Sequence, residues 1–226
     1  MKSGIMKIYD ISMEIYHEMP VYGGRISKRP VFKVERDFST GPVYETKLEM
    51  NLHTGTHLDR PLHMLPGGST IETLELDRVV TGCRVLDFKD VEDKITEQHL
   101  RKKNISKGDF ILLKTKNSYL DILENNFIYL DKTGAEYLRN LGIKGVGIDS
   151  LGIERSQPEH ETHKTLLGAD VVILEGLRLR EIEEGEYLLA AAPVKIPGAE
   201  AAPVRAFLIE MGPELLHKLT NATAVR

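Results

Sequence analysis

The stretch His160-Glu-Thr-His163-Lys-Thr-Leu-Leu167-Gly168-Ala-Asp-Val171-Val-Ile-Leu174-Glu175-Gly176 decides the fold class. Its first half predicts a helix including His160 to Leu167, closed by Gly168, which tolerates the left-handed turn that ends a helix. Its second half is a short run of β-branched and aliphatic residues with no polar position, the pattern of a strand buried on both faces. A helix followed at once by such a strand is a unit of an α/β domain. The strand ends on a carboxylate, Glu175, and functional groups collect at strand ends of this kind.

The same alternation extends in both directions. Upstream, Asp131 caps a helix through Asn140 that Gly142 stops, and Gly145 to Asp149 follows as a strand. Further upstream, Thr96 caps a helix through about Lys103, followed by the strand Phe110 to Lys114, and Gly82 to Phe88 is another strand. Downstream, the loop Pro197 to Pro203 leads to a strand at Val204 to Ile209. Residues 7 to 13, 31 to 37 and 43 to 52 add extended segments. No linker or repeat divides the 226 residues, so the expectation is one α/β domain spanning 1–226 around a mixed sheet.

Bulk properties narrow the function classes. With a net charge of −4, the chain lacks the broad cationic surface that nucleic acid requires. Arg101-Lys102-Lys103 is too short for a binding patch and suits a helix end. No run of eighteen apolar residues provides a membrane span. One cysteine, Cys83, cannot form an internal disulfide, which points to a reducing compartment, the cytoplasm.

The chemistry concentrates in His53-Thr-Gly-Thr-His57-Leu-Asp59-Arg-Pro61-Leu-His63. Imidazole and carboxylate together suit a borderline divalent ion such as zinc or manganese, and the absence of thiolates favours an open, catalytic centre over a closed structural one. In an extended strand His57 and Asp59 share a face, and His53 joins them if the stretch stays extended. Pro61 then turns the chain and can bring His63 in from another side. His163 competes with His160, three residues away on nearly the same helix face. Asp149-Ser150 stands at another strand end, as a turn or as site lining. Cys83 reads as core, and His17, His99 and His217 as surface groups.

The eleven-residue string resembles the signature of the kynurenine formamidase (arylformamidase) and cyclase family, which also includes isatin hydrolases. Asp10-Ile-Ser with Met19-Pro20-Val21, His163-Lys-Thr-Leu166-Leu167 and Ile173-Leu174-Glu175-Gly176-Leu177 are similar to further family segments, in the family's order. The resemblance implies a swivelling β/β/α fold, a homo-oligomer, and a centre in which His53, His57, Asp59, His163 and Glu175 hold metal while His63 is the catalytic acid/base. It implies two zinc ions per subunit, with manganese as the alternative, and hydrolysis of N-formylkynurenine to kynurenine and formate. One departure stands out: where the family commonly has tryptophan after the N-terminal Pro-Val, this chain has Tyr22, and it has no tryptophan at all. A lactam opened as in isatin is the alternative substrate class. A non-catalytic protein that uses metal for folding is the alternative from outside enzymology, and it leaves His63 without a role.

Overall fold

In a computed structural model, residues 6–120, 126–210 and 212 are described. Nine strands form one mixed sheet among them: β1 (Lys7–Asp10), β4 (His57–Asp59), β5 (Val80–Asp87), β7 (Phe110–Lys114), β9 (Gly145–Ile148), β10 (Val172–Glu175), β11 (Gly185–Ala190), β12 (Ala201–Pro203) and β13 (Phe207–Glu210). Their spatial order is β1-β13-β11-β5-β7-β9-β10-β4-β12. The central β5, β7, β9 and β10 are parallel, and antiparallel strands flank them on both sides. The expected α/β class with a mixed sheet is borne out. Separate two-stranded ladders join β2 (Val31–Arg36) to β3 (Glu45–Glu49) and β6 (Lys94–Ile95) to β8 (Tyr129–Leu130).

The central strands are continuously apolar because both of their faces are covered. Phe110, Leu112, Val172 and Leu174 point into one core, while the alternating Ile111, Leu113, Val146, Ile148 and Ile173 point into another. Helices α1 (Glu97–Leu100), α2 (Lys132–Leu141) and α3 (Glu161–Gly168) cover the second core through Leu100, Leu138, Leu166 and Leu167. On β9 the alternation is glycine and aliphatic. A Cβ on Gly145 would collide with the Phe110 ring, and one on Gly147 would sit 2.6 Å from Leu112, so these glycines make room for large neighbours.

Helix ends match the sequence in part. Asp131 Oδ1 accepts the Gly134 N–H at 3.0 Å, and Gly142 stops α2 with φ 72°. At α1, His99 Nδ1 accepts the Thr96 N–H at 3.1 Å, but the helix ends at Leu100, short of Lys103, because the last residues tighten into a turn with Lys103 N–H on Leu100 O. Gly168 is not the stop of α3; it is its last residue. The left-handed residue is Asp170, φ 54°, whose carboxylate pairs with Arg60 and Arg78. The segment expected as a loop to Pro203 ends in β12 instead, since Ala201 and Ala202 are small enough to lie buried against β4, and the next strand starts only at Phe207.

Asp149 does not line the candidate site. Buried, it accepts from Thr115 and Ser118, backbone and hydroxyl alike, and so closes the turn after β7. Cys83 lies in the core, where burial pushes its thiol up. His17 is exposed, His99 belongs to the α1 cap, and His217 falls outside the described residues. Among the described residues no helix is long and apolar enough to cross a membrane.

Candidate metal centre

The centre is built on β4, between β10 and β12. Register sets Glu175 opposite His57 and Ile173 opposite Asp59, while Leu58 and Leu174 face the other core. His57, Asp59 and Glu175 therefore share the helix-covered face. α3 adds His163 from its first turns. The chain turns at Pro61–His63 in a single 3-10 turn, which brings the His63 ring to 4.1 Å from the His53 ring and 5.5 Å from that of His163, centre to centre.

His53 arrives differently from the expectation. The stretch is not extended back to it; β4 begins only at His57, and residues 52 to 56 form turns. Gly55, φ 74°, reverses the chain, Asn51 Oδ1 accepts the His53 N–H at 3.0 Å, and the Thr56 hydroxyl donates to Gly176 O at 2.6 Å. Gly176, φ 72°, has no Cβ because the Gly55 carbonyl occupies that space. The threonines and glycines of the motif thus fold a loop that delivers His53 to Asp59.

All six residues singled out in the sequence come together. His53 Nδ1 lies 2.9 Å and His57 Nε2 3.5 Å from Asp59 Oδ1. His57 Nε2 is 3.3 Å from Glu175 Oε2, and His163 Nε2 is 3.2 Å from Glu175 Oε1 and 3.6 Å from Asp59 Oδ2. These approaches are not aligned as hydrogen bonds at their centre: His57 Nε2 and both oxygens of Asp59 are buried without a hydrogen-bond partner. Buried polar atoms are rarely left so. The donor atoms converge on the space between them, and His53/His57/Asp59 and Asp59/His63/His163 each gather ligand atoms within 4.8 Å of one another. The imidazole and carboxylate donors gathered around Asp59 fit a divalent ion.

The electrostatics agree. Burial opposes a charge on His57, but Glu175 and Asp59 outweigh it and raise the imidazole to about 9. Burial likewise opposes charge on His163, and contacts with Asp59, Glu154 and Glu175 raise it well above its ordinary value. Against burial, the histidines pull Asp59 well below the carboxylate range and Glu175 down to about 2. Protons on imidazole therefore balance the buried carboxylates, and Arg60, the neighbouring cation, turns away to Asp170. A divalent cation is the charge that this cluster accommodates. His63 differs: burial lowers it to about 4, so it is neutral at neutral pH.

Two residues that sequence reasoning missed touch the cluster. Glu154, buried, contacts His163 Nδ1 at 2.5 Å, and Glu200 Oε1 lies 3.3 Å from His53 Nε2. Neither has a spacing or a motif that reveals it. The His160 side chain, half exposed, stays outside, 3.7 Å from Glu154. Glu175 has no need of Arg178, which reaches the carbonyls of Ser118 and Leu120.

Comparisons with known proteins agree with this geometry. The family profile described as Putative cyclase matches residues 9–155. A kynurenine formamidase of Bordetella avium (strain 197N) is 30% identical over 208 residues, covering 91% of this chain and 99% of its own. A solved structure from Bacillus stearothermophilus, described as a predicted metal-dependent hydrolase, is 45% identical with a TM-score of 0.85 over 92% of this chain and 100% of its own. Isatin hydrolase A from Labrenzia aggregata, at 20% identity, shares the fold with a TM-score of 0.80 over 93% of this chain and 96% of its own.

Proposed function

The chain belongs to the Putative cyclase family, and from that premise we propose that it is a metal-dependent hydrolase of C–N amide bonds, acting as an arylformamidase that converts N-formylkynurenine to kynurenine and formate. The observation that carries this reading is the convergence of unpartnered, buried His57 Nε2 and Asp59 Oδ1 and Oδ2 beside His53, His163 and Glu175. Those five residues would hold the metal, zinc before manganese; two ions are favoured because His53 and His57 approach Asp59 from one side while His163 lies against its other oxygen and against Glu175. A divalent ion held there supplies Lewis acidity, polarising an acyl carbonyl and lowering the pKa of water from 15.7 toward about 7.

The protein's own task is to move protons and to exclude bulk water. His63, neutral at neutral pH, is ready to accept a proton at a ring nitrogen as water attacks. Its conjugate acid then donates to the departing aniline nitrogen, which is too basic to leave as an anion. Burial of His57, Asp59 and Glu175 keeps the carboxylate charge from being screened.

Tyr22, packed 6.1 Å from Phe127 centre to centre, stands where the sequence resemblance expects tryptophan, a departure that counts against the aryl formamide and keeps a lactam as the second substrate class. A homo-oligomer in the cytoplasm completes the reading; the lone, buried Cys83 supports the compartment. The test is to load the protein with zinc or manganese, count ions per chain, and offer aryl formamides and isatin-type lactams. Formate release supports the formamidase, ring opening without formate supports the lactam hydrolase, and no turnover of either class by fully loaded protein rules out both.

A further inference from the structure

Glu154 lies on the loop between β9 and α3 and is 1% exposed. Its Oε1 is 2.5 Å from His163 Nδ1 and accepts the His163 backbone N–H at 3.2 Å, while Oε2 accepts the Thr162 N–H at 3.0 Å. One carboxylate thus serves two ends. It satisfies the free backbone donors at the start of α3, where His160 provides no side-chain cap, and it grips the imidazole on its far edge. With Nδ1–H directed at Glu154, Nε2 is the nitrogen that faces Asp59 and Glu175 and that a metal would take in place of its proton.

The loop is shaped to hold this carboxylate. Ser156 and His160 both adopt left-handed backbone conformations, φ 56° and 53°, that side chains other than glycine disfavour. Gln157 ties the loop down: its amide nitrogen donates to Glu154 Oε2 and, at 2.8 Å, to Thr162 Oγ1, while its Oε1 accepts the Lys132 N–H at 3.0 Å. Two disfavoured residues in the segment that follows this buried carboxylate, between it and α3, mean that its position is imposed by the surroundings and is not a relaxed surface choice.

We infer that Glu154 is a positioning residue for the metal centre, fixing the tautomer and the ring plane of His163 so that Nε2 is the ligating atom. The inference rests on the metal reading given above. A carboxylate behind a histidine ligand raises its basicity, and removing such a partner weakens metal binding by about 10–100-fold.

The experiment measures zinc affinity of wild-type protein, Glu154→Gln and His160→Ala by chelator competition, with ions per chain and thermal unfolding of each metal-free protein. Glu154→Gln should bind zinc about 10–100-fold more weakly at unchanged stoichiometry. Equal affinity in wild type and Glu154→Gln overturns the inference while leaving the metal reading intact. Loss of one ion per chain in both Glu154→Gln and His160→Ala overturns it as well, because Glu154 would then be a ligand itself. If wild-type protein takes up no zinc, the metal reading falls and this inference with it. Because Glu154→Gln disturbs the α3 cap, the decisive second measurement uses wild-type holoprotein: nitrogen-15 resonances of His163 should show Nδ1 protonated and Nε2 coordinated. The reverse assignment overturns the inference whatever the variant does.

Discussion

At the scale of single residues, Asp59 and His63 make opposite predictions although they stand four apart. Asp59 has both carboxylate oxygens buried and unpartnered between three histidines, so Asp59→Ala removes the group shared by both ligand sets. Purified Asp59→Ala should carry little metal by elemental analysis, and full occupancy would refute its role. His63, neutral and with its ring against that of His53, is in excess of the ligands that an ion needs. His63→Ala should keep its metal and lose turnover by about 10²–10⁴-fold, the usual contribution of a positioned acid/base. Loss of metal in His63→Ala would move it among the ligands, a place that its proximity to Asp59 and His163 also permits. Four of these residues are legible because one motif packs them together, whereas His163, on α3, and Glu175, at the end of β10, stand out as ligands only through the resemblance, since spacing alone leaves His160 and a solvent-facing strand end as alternatives. Glu154 and Glu200 are not legible. They reach the cluster from loops, and a loop carries no period from which to read direction.

At the scale of elements, the apolar strands are legible because burial on both faces leaves polar residues only at the last position, as at Lys114 of β7 and Glu175 of β10. The misreadings fall where backbone conformation was inferred from residue type alone. Asp170, held by Arg60 and Arg78, takes the left-handed place that Gly168 was expected to fill. Gly176 is the opposite case, since its φ of 72° and its contact with the Gly55 carbonyl leave no space for a side chain. Gly176→Ala should cost at least about 1–2 kcal/mol from the left-handed backbone alone and more from the collision, measured by urea unfolding. It should also push the His53 loop off β10 and weaken metal binding; a variant as stable and as metal-avid as wild type would show that the close approach is dispensable. Asp131→Ala is a milder test at a distance from the centre: loss of the α2 cap should cost about 1 kcal/mol with metal affinity unchanged.

At the scale of the whole molecule, the β2–β3 ribbon is the part that the rest of the chain does not explain. Register pairs Phe32 with Leu48 and Val34 with Thr46 on one face, and Lys33 with Lys47 and Val31 with Glu49 on the other. The ribbon is therefore amphipathic, yet Phe32, Val34 and Leu48 remain 45%, 47% and 43% exposed, and nothing among the described residues buries them. An isolated two-stranded hairpin is marginal in water and gains stability when one face is covered. Two like-charged lysines directly opposite one another add to the strain of leaving it alone. The homo-oligomer proposed above would supply a cover, because a two-fold axis presents the same apolar face to itself and doubles every contact. Light scattering on the wild-type protein should then give a mass of at least two chains. Phe32→Ser combined with Leu48→Ser should shift it to one chain while the centre, built on β4, β10 and α3, still binds metal. A wild-type monomer would refute the assembly. An unshifted mass in the double variant would place the subunit contact elsewhere and leave the ribbon face to another partner.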